Sequence, residues 1–213
     1  MTSGRDRIIT AATGLFTGGS FHFVGIAEIC EVAGVNKGTF YHFFPSKIAL
    51  LVEAIDIYTR EILKSFAQIT ASNDTPAGKI RTIFTIPQSR NESWKDAHGM
   101  ASGCFIGNSC MELAATEAVV REKVDWALRE LARGLEPIVA EHVKREGVSV
   151  VDSLATAEII MGIMQGAQVM AKAKNDPSIF VTYGELAVRA MQATAITPAL
   201  ASKNGPSLGP PPR

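Results

Sequence analysis

The 213-residue chain has few cysteines, few aromatic residues and no formal net charge. Its three cysteines, Cys30, Cys104 and Cys110, are odd in number and widely spaced, which excludes a disulfide framework, and none belongs to a cluster with zinc-ligand spacing. Because 21 basic residues balance 21 acidic ones, the chain cannot bind nucleic acid through a broad cationic surface. We expect no metal and no other cofactor.

Long apolar runs are also missing. No continuous run has the length needed to cross a bilayer. Residues 1–16 combine charges with a helical period, whereas a secretory signal would show a short apolar core. We therefore expect a cytoplasmic protein that does not interact with membranes.

What the chain does contain is helical periodicity. Its 46% hydrophobic and 20% charged residues are typical of a soluble globular protein, and its length allows one small and one larger domain. Residues 48–62 show apolar positions three or four apart, which predicts a long helix. We predict an all-α fold with one domain at residues 1–48, a second at residues 49–197 and a disordered tail at residues 198–213.

Residues 26–47 carry the pattern of a helix-turn-helix. A short amphipathic helix ends at Gly34, where a sharp turn needs a positive φ that glycine adopts at little cost. Asn36 can cap a second helix that begins at Lys37. The second helix of such a motif lies in the major groove of DNA.

The second helix reads KGTFYHFF over residues 37–44. Phe40 and Phe44 share one face and can be buried, which leaves the polar groups on the outer side to contact phosphates or base edges. The predicted DNA-contacting residues of this helix are Lys37, Gly38, Thr39, Tyr41 and His42. From composition alone, a small buried helix with polar edges is an equally good interpretation.

The spacing E-I-x-x-x-A-G-V-x-K-G-x-F-Y-x-x-F-x-S-K resembles the DNA-binding domain of the TetR family of transcriptional regulators. It is present here as Glu28, Ile29, Ala33, Gly34, Val35, Lys37, Gly38, Phe40, Tyr41, Phe44, Ser46 and Lys47. The resemblance implies a three-helix DNA-binding domain followed by a helical effector-binding and dimerisation domain. It also implies that Lys47 contacts a phosphate. Val24 and Gly25 stand where the family often has Thr-Ser, and Phe43 where many members have histidine.

Downstream, the pattern predicts a short helix at residues 77–87, a polar irregular segment at residues 88–103 and further helices. The last two helices are rich in small residues and methionine, which suits core packing within one chain or a four-helix homodimer interface. Because two half-sites require a two-fold partner, we expect the homodimer. The small-residue face of the penultimate helix comprises Ala157, Met161, Gly162, Met164, Gly166, Ala167 and Met170.

An effector site in the second domain should use aromatic, methionine and amide side chains that an aliphatic bundle does not itself require. The candidates are Trp94, Met100, Cys104, Phe105, Asn108, Met111, Trp126, Met164, Gln165 and Gln168. A buried amide needs a hydrogen-bond partner, which for Gln165 and Gln168 is either a ligand or a helix carbonyl. Such a site would accept a small, mostly apolar effector with one or two polar groups.

The predicted function is a homodimeric transcriptional repressor that an effector releases from a palindromic operator. An activator of the same fold fits the sequence equally well. The pair Gly103-Cys104 resembles one found in thiol-based sensors of the family, so a redox or electrophile sensor using Cys104 is the alternative. An enzyme is not expected, because no nucleophile, base and orienting group stand at a recognisable spacing.

Overall fold

A computed structural model describes residues 3–146 and 152–193, and every regular element in these ranges is an α-helix, as predicted. The predicted tail at residues 198–213 lies outside them. The helices are α1 (Gly4–Gly18), α2 (Ile26–Ala33), α3 (Lys37–Phe43), α4 (Lys47–Thr70), α5 (Pro76–His98), α6 (Phe105–Leu113), α7 (Ala118–Glu146), α8 (Ser153–Lys174) and α9 (Ile179–Gln192).

The first three helices form a small unit around the start of α4. Ser3 and Asp6 close a reciprocal capping box at the N-terminus of α1. Ser46 caps α4 by accepting a hydrogen bond from the Ala49 N–H. The unit's core residues include Ile8, Ala12, Phe16, Ile29, Phe40 and Leu50, all of them buried. Because α4 continues without a break, the proposed boundary at residue 48 falls within its first turn.

The larger unit is a helical bundle in which α7 packs between α4 and α8, and α9 packs against α5 and α8. Its buried core includes Ile83, Phe84, Leu135, Ile138, Ile160 and Phe180. One buried charge ties the bundle together. The Lys79 ammonium donates to the Thr70 carbonyl at 2.9 Å and to Glu141 Oε2 at 2.8 Å, which links α4, α5 and α7.

The prediction of an irregular segment at residues 88–103 was wrong over most of its length. Helix α5 continues through Pro87 to His98 and ends at Gly99, whose φ is +81°. Proline has no N–H, so Pro87 cannot donate to the Ile83 carbonyl one turn earlier in the helix. Here Asn91, which is buried, donates from Nδ2 to the Pro87 carbonyl at 2.9 Å and anchors the helix.

Helix α8 is the one helix in the described ranges that is long and apolar enough to cross a membrane, judged by length and composition alone. Its 22 residues pass a test of length and composition, with a mean hydropathy of 1.2 over the best window. Yet 44% of that window is buried inside the protein, as in the core helix of a soluble bundle. This single helix does not indicate a membrane protein.

Candidate DNA interface and effector cavity

The turn between α2 and α3 has the geometry that the sequence predicts. Gly34 lies in the left-handed region with φ of +62°, and its N–H donates to the Glu31 carbonyl at 3.0 Å. Asn36 Oδ1 accepts from the Thr39 N–H at 2.8 Å and so caps α3. Gly25 is the N-cap of α2 and provides no side-chain hydrogen bond, since it stands where the family often has serine.

Helix α3 has one buried and one open face. Phe40 is fully buried and Phe44, its C-cap, is nearly so, with their ring centres 6.0 Å apart. Tyr41 is 56% exposed. The other predicted contact residues divide into Lys37, Gly38 and His42, which are exposed, and Thr39, which is half-buried. The helix therefore presents a phenol, an imidazole and an ammonium group to solvent.

Lys47 has partners within the protein. Its Nζ donates to the Phe21 carbonyl at 2.7 Å and to the Val24 carbonyl at 2.8 Å, and it lies 4.2 Å from the centre of the Phe21 ring. On the other side of this turn, Glu112 of α6 accepts from Ser20 Oγ at 3.1 Å and from the Phe21 N–H at 2.8 Å. Burial lowers the pKa of Lys47, while the Glu112 charge acts in the opposite direction.

A cavity of about 530 Å³ lies between the first unit and the bundle. Its apolar wall comprises Ile62, Phe66, Ile83, Ile86, Ile106, Leu131, Met161 and Met164. Thr13 and Thr17 of α1 also line it, so the cavity adjoins the unit that carries α3. Five predicted effector residues belong to its lining, namely Trp94, Cys104, Met164, Gln165 and Gln168.

The other five predicted effector residues are not part of this lining. Phe105 is fully buried, with its ring 5.3 Å from that of Tyr58. The Asn108 amide donates to the Thr17 and Ser102 carbonyls, which makes it a link between helices. Sequence reasoning could not separate these roles from ligand contact, because aromatic and amide groups also serve in cores and helix contacts.

Two more of these residues lie on the surface and one lines a different cavity. Met111 is 84% exposed, and Trp126 lies half-buried beneath the Lys123 ammonium. Met100 is exposed and lines a second cavity, of about 830 Å³, between α1, α2 and residues 94–102. Trp94 and His98, whose rings stack with centres 4.0 Å apart, border both cavities.

A buried polar network lines one side of the cavity of about 530 Å³, the candidate effector site. Asn91 Oδ1 accepts from the Gly103 N–H at 2.8 Å, and Asn91 Nδ2 donates to Gln168 Oε1 at 3.1 Å. The network fixes the loop before α6 against α5 and α8. The sequence left open whether Gln168 bonds to a ligand or to a helix carbonyl. In the structure its side-chain carbonyl oxygen accepts a hydrogen bond from the Asn91 side chain.

Sequence reasoning missed Tyr58 and Arg90 as cavity residues. The Arg90 guanidinium carbon lies 5.3 Å from the centre of the Tyr58 ring. The pKa of Tyr58 is raised to about 12, chiefly by burial and also by the nearby Cys104, while Arg90 acts in the opposite direction. Burial also raises the pKa of the Cys104 thiol, whose Sγ lies 3.8 Å from Gln165 Nε2. Tyr58 had the spacing of an ordinary core residue, and Arg90 lay in the segment expected to be irregular.

Comparisons with known proteins agree with this architecture. Residues 8–54 match the family model described as bacterial regulatory proteins, tetR family, and residues 88–185 match the model described as tetracyclin repressor-like, C-terminal domain. The chain is 22% identical to YxaF of Bacillus subtilis, an uncharacterized HTH-type transcriptional regulator, over 85% of this chain and 91% of that protein.

Solved structures share the fold. The regulatory protein TetR from Rhodobacter sphaeroides superposes with a TM-score of 0.77 at 24% identity, covering 89% of this chain and 99% of that one. The reduced form of Escherichia coli NemR superposes with a TM-score of 0.73 at 21% identity, covering 92% of this chain and 99% of that one.

Proposed function

Because this chain belongs to the TetR family of bacterial transcriptional regulators, we propose that it is a cytoplasmic, homodimeric repressor released from a palindromic operator by a small, mostly apolar effector. The observation that carries the proposal is the geometry of α3. A left-handed glycine turn and a buried Phe40 hold this helix so that Lys37, Tyr41 and His42 face solvent. These groups suit phosphates and base edges in a major groove.

The proposed DNA-contacting residues are Lys37, Gly38, Thr39, Tyr41 and His42. Gly38 would allow the backbone to approach the duplex closely. We assign Lys47 a positioning role, because its ammonium already binds the turn that precedes α2. With so few contacts in each subunit, useful affinity requires two recognition helices set about 34 Å apart, one turn of DNA.

The outward faces of α8 and α9 support the homodimer. Within the predicted α8 face, Ala157, Met161 and Ala167 are buried in the chain's own core, whereas Gly162 is exposed. Exposed apolar residues continue this outward surface on both helices, comprising Ile159, Val169, Val181 and Leu186. Small and apolar side chains on two adjacent helices suit a close four-helix contact with a second copy.

Helix α6 contacts both the cavity and the DNA-binding unit, which supports the transmission of an effector-induced movement between them. Its N-cap, Cys104, lines the cavity. Farther along the helix, Asn108 donates to the Thr17 carbonyl of α1, and Glu112 holds the turn after α1. An effector that fits the cavity only when α6 is displaced would stabilise a second arrangement of the recognition helices. It acts through its unequal affinity for the two arrangements.

Fluorescence anisotropy with duplexes from the region upstream of the chain's own gene tests the DNA-binding proposal. Lys37→Ala should weaken binding and reduce the slope of log affinity against log salt by about two units for a dimer, because each lost phosphate contact removes about 0.9. Lys64→Ala, on an exposed part of α4, is the matched control and should leave the slope unchanged. Equal slopes for both variants would refute the assignment of α3 as the interface.

A thiol sensor that uses Cys104 remains the second candidate, since this side chain lines the cavity. A sensing cysteine reacts as the thiolate. Because burial raises the pKa of Cys104, reversible ligand binding is the better supported mechanism. Slower alkylation of Cys104 than of the half-buried Cys110, measured by mass spectrometry on the native protein, is the expected result. Faster alkylation of Cys104 would favour the sensor.

A further inference from the structure

The described lining of the effector cavity contains a permanently basic residue and no acidic residue. Among the described residues that line it there is no aspartate or glutamate, whereas Arg90 contributes a guanidinium group. No carboxylate within the described ranges lies at ion-pair distance from Arg90, although Arg81 on the same helix pairs with Glu185. The exposed Arg90 side chain therefore places a permanent positive charge at the border of a largely apolar cavity, without an anionic partner among the described residues.

Other polar groups converge near this charge. The Tyr58 ring lies beneath the guanidinium, at 5.3 Å. Gln165 Nε2 donates to Cys104 Sγ at 3.8 Å, and both residues line the same cavity as Tyr58 and Arg90. The phenol stays protonated at neutral pH, because its pKa is raised to about 12. A guanidinium, a phenolic O–H and an amide N–H are therefore available as donors at one end of the cavity.

The rest of the cavity wall has a different character. Ile62, Phe66, Ile83, Leu131, Met161 and Met164 form a surface suited to a hydrocarbon or aromatic body. The volume of about 530 Å³ lies within the usual range for sites that bind small organic molecules. Methionine side chains allow the wall to adapt to the shape of the body.

We propose that the effector is an amphipathic carboxylate, with its acid group held by Arg90, Tyr58 and Gln165 and its apolar body in the cavity. This inference rests on the proposed function in taking the cavity as the effector site. A planar guanidinium pairs with a carboxylate through two parallel hydrogen bonds, so the site prefers a carboxylate to a neutral amide of the same shape. It disfavours a cation, because the only permanent charge in the described lining is positive.

Trp94 provides a reporter in the cavity wall. The chain has two tryptophans, and Trp126→Phe leaves Trp94 as the sole indole. In this background the protein is titrated with decanoate, decanamide and decylamine below their micelle-forming concentrations, and with 4-butylbenzoate and its amide. Each carboxylate should bind about tenfold more tightly than its amide, the lower end of the range for a charge-assisted hydrogen bond. Decylamine should bind most weakly.

Arg90→Gln should abolish the preference for the acid, while Arg90→Lys should retain part of it. Arg133→Gln, on an exposed part of α7, is the matched control and should keep the full preference. Circular dichroism and DNA affinity without ligand establish that each variant is folded. The proposal is overturned if acid and amide bind equally, if the preference survives Arg90→Gln, or if Trp94 responds to no carboxylate.

The same variants separate this inference from the proposed function. Carboxylate binding that depends on Arg90 but leaves operator affinity unchanged would refute release by an effector and retain the carboxylate site. If the amide releases DNA as readily as the acid does, and Arg90→Gln responds to both as the wild type does, the repressor is retained and the carboxylate site is refuted.

Discussion

Replacing Lys47 by methionine distinguishes the structural role of this side chain from a role in phosphate binding. Methionine retains the apolar stem but donates no hydrogen bond, so the bonds to the Phe21 and Val24 carbonyls, at 2.7 and 2.8 Å, are both lost. Hydrogen bonds from a charged donor contribute about 1.5–3 kcal/mol each. Because the ammonium is only partly buried and its burial costs solvation, we expect a net loss of about 2–3 kcal/mol in the free energy of unfolding.

Urea denaturation measures this loss, and Lys37→Met serves as the matched variant. Lys37 is exposed and outside the turn, so its replacement should change the free energy of unfolding by less than about 0.5 kcal/mol. The salt dependence of DNA binding should show the opposite pattern. Lys37→Met should reduce the slope by about two units for a dimer, whereas Lys47→Met should weaken binding and leave the slope unchanged.

One result would refute this reasoning. If Lys47→Met unfolds at the same urea concentration as the wild type and reduces the salt slope as Lys37→Met does, the ammonium leaves the turn when DNA binds. The phosphate contact implied by the family resemblance would then be correct, and the hydrogen bonds to the turn would belong only to the DNA-free protein.

Three further predictions concern the cavity and its borders. Asn91→Ala should lower the free energy of unfolding in urea by about 2–4 kcal/mol, because it leaves buried backbone and amide groups without partners; an unchanged midpoint would contradict the network. Gly18→Ala should shift the fluorescence of Trp94, since a Cβ there would overlap the indole, whereas Gly14→Ala, with open space around it, should leave the spectrum unchanged. Tyr58 should ionise with a pKa of about 12, and Tyr58→Phe should remove that step from an absorbance titration; its contribution to stability should decline as pH rises above about 10.

The sequence predicted the DNA-binding unit well because its signals are local. A glycine turn, the Asn36 cap and the spacing of Phe40 and Phe44 each depend on neighbours within one or two helical turns. All of these features occur in the structure as expected. The continuation of α5 through Pro87 was not predictable in the same way, because the buried partners of Asn91 come from residues far along the chain.

The cavity was predictable only in part for the same physical reason. Its lining combines residues from α1, α4, α5, α6, α7 and α8, and no single helix pattern shows which side chains meet. Gln165 stood out as an amide on an apolar helix, so it was identified. Arg90 did not stand out, since an arginine in a polar stretch is ordinarily solvated. Its significance comes from the acid-free lining around it, which is a property of the packed structure.

Because the DNA-binding unit has almost no net charge, a small displacement of its recognition helix should be enough to weaken DNA binding strongly. Residues 1–51 contain four basic and three acidic residues, so a general attraction to DNA contributes little. Affinity then depends on a few contacts made by two correctly spaced helices. A strongly cationic repressor would keep much of its affinity after its helices moved, because nonspecific attraction tolerates misalignment. In the proposed homodimer, a shift of α6 that acts through Glu112 on the turn held by Lys47 would remove one half-site and with it most of the binding free energy.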